Sequence, residues 1–307
     1  MIRFISLSLA CALLMAPAGI SVERDIFDFA GQRTAPPDIK RLVFIASRAD
    51  HGPRGNHEFM AGAMYLARRI NEFYPKAYAV VFAEEKWPEN LLTADAVIVG
   101  LNHGGRAASD PNIKAAMARG AGFMAIHFGV EVNKGEQGDN YLAWMGGYFE
   151  TYWSVNPWWT ADIKLIGEHP TARGVKPFAI RDEWYYHMRF VDGMQGVTPV
   201  LSSVAPRDTV QFDGAKPSDR GGNAAVLAEV EAGKPQHLAW AFQRPGVGRG
   251  FGFTGFHVYD NLRNDSFRTV LLNGAAWVAG LEIPRDGIPS TTPSQGELTT
   301  LMTEAHR

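Results

Sequence analysis

The sequence predicts an α/β fold built on a largely parallel sheet with helices on both faces. Its strand-length apolar runs do not alternate with polar residues, as strands buried on both sides require. These runs are interleaved with segments of helical periodicity, the pattern of βα units. Four of the nine histidines also fall just after predicted strands, where open parallel sheets collect their ligands.

Residues 19–40 form an irregular lead-in containing "TAPPD". "RLVFIAS" (Arg41 to Ser47) is the first buried strand, followed by the polar loop "RADHGPRGNHE". In "FMAGAMYLARRINEF", Met60, Met64, Leu66, Ala67 and Ile70 share one helical face. "AYAVVFA" and "DAVIVGL" are the next strands. "DPNIKAAMARG" has an Asp cap, a Pro in its first turn and a Gly stop, all helix signals. "GFMAIHF" is the fourth strand.

The stretch from about 130 to 220 is rich in Trp, Pro and Gly and reads as strands and long loops. Within it "DEWYYHMRF" reads as a strand with Glu183, Tyr185 and His187 on one face. "PVLSSV", "PQHLAWAFQ" and "GRGFGFTGFH" return to strand character. "DSFRTVLLNGAAWVAGL" closes the fold as a helix capped by Asp265, and residues 283–307 read as a linker-like tail.

Composition excludes some classes. Thirty Lys and Arg against 32 Asp and Glu give a net charge of -2 without basic runs, which argues against nucleic-acid or membrane-surface binding. The glycines of "GRGFGFTGF" lie inside a strand rather than between strand and helix, so no NAD site is expected. "MIRFISLSLACALLMAPAGI" has the charged start, apolar core and small-residue cleavage site of a signal peptide over residues 1–18. It implies a periplasmic or secreted protein with no stable membrane association after cleavage; an uncleaved anchor is the alternative. The single cysteine, Cys11, lies in that segment, so the cleaved chain would have neither disulfides nor a thiol nucleophile. Clustered aromatics (Trp153, Trp158, Trp159, Trp184, Tyr185, Tyr186) suit either sugar faces or an ordinary core. Exposed aromatics would also be compatible with an oligomer.

"HGPRGNHEFMAGAMYLARRIN", "GFMAIHFGVE", "DEWYYHMRF" and "GRGFGFTGFHVYDNLRNDSFRTVLLNGAAWVAGLEIP" together resemble the ThuA-like (trehalose utilisation) family of the class I glutamine-amidotransferase-like superfamily. The resemblance implies a flavodoxin-like three-layer sandwich over residues 41–282, with an inserted β/loop region. It also implies a part in carbohydrate catabolism, on disaccharides and their 3-keto derivatives. Glutaminases of that superfamily carry Cys on the turn after a central strand and a His with a carboxylate after a late strand. His127 stands at the first position here, and His257 with Asp260 resembles the second. Thiol-based glutaminase activity is therefore not expected.

Convergent imidazoles suit general acid–base work near neutral pH or ligation of a divalent metal such as Zn. His127 and His257 are the candidate catalytic residues, with Asp260 orienting. His57, His127 and His257 form the candidate metal set, with Glu58 alongside. His51, Glu58, His103, Glu183, Tyr185 and His187 are candidate substrate contacts. The partner implied is a small-molecule carbohydrate, and the expected activity is acid–base or metal-assisted chemistry on a sugar or glycoside. A non-catalytic carbohydrate-binding protein is the rival, because fold alone does not establish chemistry.

Overall fold

The architecture is that of a computed structural model describing residues 38–49, 51–88, 91–214, 216–217 and 221–307. The predicted signal peptide, Cys11 and nearly all of the lead-in lie outside the described residues. Four strands, β1 (Lys40–Ala46), β2 (Ala77–Ala83), β3 (Ala96–Gly100) and β4 (Gly122–Ile126), match the predicted runs. Three helices accompany them: α1 (Phe59–Phe73), α2 (Gly105–Ser109) and α3 (Pro111–Arg119). The Asp110 side chain accepts the Asn112 and Ile113 N–H groups, and Gly120 ends α3 at φ 102°, an inexpensive conformation only for glycine.

Next come α4 (Glu136–Met145), β5 (Gly147–Tyr148), β6 (Trp158–Ile163), β7 (Leu165–Ile166), β8 (Phe178–Glu183), β9 (Arg189–Phe190) and β10 (Val197–Val204). The chain ends with α5 (Ala224–Glu231), β11 (Pro235–Gln243), β12 (Arg249–Phe253), α6 (Asp265–Val278) and α7 (Gln295–Ala305). The main sheet has the order β2-β1-β3-β4-β12-β11-β10-β7. Its first five strands are parallel and the last three antiparallel. The parallel part has the flavodoxin-like order, with β12 as its fifth strand. β6 and β8 form a separate antiparallel ribbon, and β5 pairs with β9; these make up the inserted region.

Strand alternation divides the interior into two layers. Leu42, Phe44 and Ala46 of β1 join Met64, Leu66, Val270 and Leu271 on one side. Val43 and Ile45 join Ile113, Met117, Tyr141 and Trp144 on the other. Each large apolar side chain so buried stabilises the fold by about 1.5–3 kcal/mol. The result is the expected three-layer α/β sandwich.

Four local expectations are corrected. α4 lies in the stretch read as loops and strands. The predicted strand through His187 stops at Glu183, where its partner β6 begins at Trp158, and extended alternation fails at His187, which takes φ 56°. Asn264, not Asp265, caps α6 by accepting the Phe267 N–H; Asp265 instead pairs with Arg268. The segment read as a tail contains α7, whose buried Leu298, Leu301 and Met302 join the core beside α1.

Gly62 on α1 faces Phe256, and a Cβ added there would come within 2.3 Å of the Phe256 ring. Gly62→Ala is therefore expected to destabilise the protein by roughly 1–3 kcal/mol through overpacking, and to disturb the adjoining His257. Thermal unfolding checks this; an unchanged midpoint would show that the ring yields freely.

Candidate functional site

The carboxyl edge of the parallel sheet gathers three loops. After β1 the chain runs to His57, whose N–H donates to the His257 carbonyl at 2.9 Å. Asn56 bridges Val258, and the Tyr259 N–H donates to the Gly55 carbonyl at 2.9 Å. This zipper brings the His57 and His257 ring centres to 4.0 Å. β4 ends at Ile126, and His127 begins a short 3-10 turn with φ 50°. His57 likewise has φ 53°. Such values are rare for side-chain-bearing residues and cluster where function demands them.

The β6–β8 ribbon supplies the fourth component. The Asp182 carboxylate accepts the backbone N–H groups of Phe256 at 2.9 Å, His257 at 3.0 Å and Val258 at 3.3 Å. It thereby fixes the loop that carries His257. Glu183 then reaches the cluster: its Oε2 lies 2.9 Å from His257 Nδ1 and 3.5 Å from His127 Nε2. His57, His127, Glu183 and His257 are all buried, and one donor atom from each lies within 4.8 Å of all the others.

Hydrogen bonding sets which nitrogens are available. His127 Nδ1 meets the Thr254 carbonyl at 2.8 Å; a carbonyl only accepts, so Nδ1 carries a proton, and Nε2 is the nitrogen turned into the cluster. Both ring nitrogens of His57 are buried without a hydrogen-bond partner. Burial first, then the neighbouring His127 and His257, lowers the His57 pKa from 6.5 to about 3, so the ring is neutral near pH 7. Burial opposes ionisation of Glu183, but His127 and His257 outweigh it and bring the carboxyl down to about 2. Tyr185 Oη lies 3.4 Å from His127 Nε2 and 3.5 Å from Glu183 Oε2. Burial, followed by the Glu183 charge, pushes that phenol well up, so it remains a proton donor.

Three imidazoles and one carboxylate are a donor set suited to Zn and related divalent cations. The partnerless His57 nitrogens fit such an ion, since an uncompensated buried polar atom is costly. The Nδ1–H of His127 on a carbonyl is the usual outer support of a ligating imidazole.

The other predicted residues divide. His51 lies at the rim, its ring 4.2 Å from His57, beside a cavity of about 440 Å³ that Arg54, Glu58, Thr303 and His306 also line. Glu58 does not join the cluster: its carboxylate accepts the Gly55 N–H and pairs with His306 at 3.0 Å. His103 accepts the Gly105 N–H and touches Phe128, a local turn role. His187 pairs with Glu229 at 2.9 Å and stacks on Trp153. Asp260 is exposed on a 3-10 turn, and the carboxylate that orients His257 is Glu183. Asp182, absent from the sequence-based candidates, was signalled only by its place beside Glu183 in "RDEW".

Among solved structures, a ThuA-like protein from Bacteroides uniformis is similar at 16% identity and a TM-score of 0.49. The match covers 79% of this chain and 91% of that one. No curated protein sequence matches significantly. The family model described as ThuA, trehalose utilisation, matches residues 54–278, a span enclosing all four clustered donors. The chain belongs to the ThuA (trehalose utilisation) family.

Proposed function

We propose that this protein is an exported enzyme of carbohydrate catabolism, acting on a sugar or glycoside in its 3-keto form by metal-assisted proton transfer. The observation that carries the metal-assisted reading is His57, a buried neutral imidazole with two partnerless nitrogens facing His127, His257 and Glu183. Export rests on the amino-terminal sequence, and the substrate class on the family.

His57, His127, His257 and Glu183 would hold the cation, which when bound polarises a carbonyl or hydroxyl oxygen. A ketone acidifies the adjacent C–H, and a positioned imidazole can remove that proton. His127 Nε2 is the nitrogen directed into the cluster; it serves either as the fourth ligand or, with His57, His257 and Glu183 holding the cation, as the proton acceptor. Glu183 holds His257 by its Nδ1–H, and the Tyr185 phenol supplies a proton to developing negative charge. Elimination and isomerisation share this first step; hydration of the eliminated product is the reverse of elimination and ends by returning that proton. Glutamine hydrolysis is not expected, because His127 occupies the turn where a thiol would be needed.

Metal analysis of the purified protein, followed by a turnover screen over glycosides and 3-keto-glycosides, tests the proposal. The expected result is about one divalent ion per chain and turnover that chelation abolishes and added metal restores. Turnover unaffected by chelation would remove the metal; sugar binding without any turnover would favour the binding-protein alternative.

A further inference from the structure

The β6–β8 ribbon carries more than Glu183. Its outward face alternates along β6, with Trp158, Thr160 and Asp162 exposed and Trp159, Ala161 and Ile163 buried. Trp158 lies directly across from Glu183 in the register, and Thr160 across from Arg181. Cross-strand partners share a face, so Trp158 stands on the side from which Glu183 enters the cluster.

Its indole is 41% exposed, unusual for so large an apolar ring, whereas Trp159 and Trp184 are buried. The Trp158 ring centre lies 4.4 Å from that of His257 in an edge-on arrangement. A row of rings therefore runs His51, His57, His257, Trp158, with centres 4.2, 4.0 and 4.4 Å apart. Its two ends are exposed and its middle is buried. The exposed Trp158 ring thus adjoins the buried centre on the ribbon side. The Arg181 guanidinium lies over the indole, 6.0 Å from its centre, and Thr160 stands on the same exposed face of the ribbon.

From this arrangement we infer that Trp158 is the platform on which a pyranose ring of the substrate lies, with Arg181 and Thr160 binding its hydroxyls. A sugar in chair form presents a face of C–H groups, which a flat exposed indole covers while the hydroxyls point sideways to polar partners. The ligand class is a cyclic hexose or hexoside with one largely equatorial hydroxyl set, since axial hydroxyls would lift the ring from the indole. Trp158 is a positioning residue: it places the sugar over His257 and takes no part in proton transfer. This inference rests on the carbohydrate reading above, but not on the presence of a metal.

Trp158→Ala and Trp158→Phe in the full chain test it, with trehalose, methyl α-D-glucopyranoside and their 3-keto derivatives as probes. Calorimetric titration of wild type should detect binding of at least one probe. Trp158→Ala should weaken that binding by about tenfold or more, as loss of an aromatic anchor does, and Trp158→Phe should restore most of it. Where turnover is measurable, KM should rise in the Ala variant while kcat changes far less. Metal content should equal that of wild type, separating positioning from damage to the Glu183 strand. Wild-type affinity in Trp158→Ala, or no binding of any probe by wild type, would overturn the inference. A metal-free protein that binds sugars through Trp158 would leave it standing and remove the metal reading instead.

Discussion

His57→Ala and His127→Ala are each expected to lower turnover by about a thousandfold or more, the scale of removing a proton-transfer group or ligand. Bound metal should fall in parallel. The two histidines enter the site differently. His57 has no hydrogen bond from either ring nitrogen, so the fold gives its imidazole no other polar task. His127 is anchored by Nδ1 on the Thr254 carbonyl, which aims Nε2 into the cluster. Asp260→Asn and His103→Ala serve as controls and should remain within a few-fold of wild type, since neither side chain reaches the cluster. Elemental analysis together with rate measurements decides the matter. Both histidine variants retaining full turnover would refute this assignment of the centre.

The second large effect is acid sensitivity of the metal-free protein. His57 titrates at about 3 in the fold against an ordinary 6.5. Between those values the unfolded chain binds the extra proton, so stability falls as pH drops through that window. Glu183, lowered from 4.5 to about 2, acts in the same sense: the stability it contributes is present above 4.5 and lost towards 2. The melting temperature of the chelated protein should therefore decline from about pH 6.5 downward. His57→Phe, which cannot be protonated, should flatten the upper part of that decline. Protons also compete with a cation for imidazole and carboxylate, so metal affinity should fall over the same range. Melting curves across this range provide the check; a flat profile for wild type would mean that His57 is protonated at little cost.

The parallel half of the fold was legible because each β strand there is a continuous apolar run closed by a cap or a glycine. α1 and β2 have the bounds that their sequence patterns suggest, as does the antiparallel β11. The gathering of His57, His127 and His257 was legible for the same reason, since each follows a parallel strand. The roles of the carboxylates were not. Glu183 and Asp260 are both near a histidine in some sense, one across the ribbon and the other along the chain. Only the packing of the ribbon onto the sheet edge selects Glu183. Strand alternation also failed at His187, where a left-handed backbone turned that imidazole towards Glu229. α7 was missed because its helix follows a Pro- and Thr-rich stretch, and its apolar residues gain meaning only against α1.

The left-handed backbone at His57 and His127 places a conflict between durability and chemistry inside this centre. Each such residue carries a conformational penalty of about 1–3 kcal/mol, which glycine would relieve and asparagine would reduce. Selection for heat resistance alone would draw both positions towards those residues and erase the cluster without harming the fold. A thermostabilised descendant could thus keep the whole sandwich and be inert.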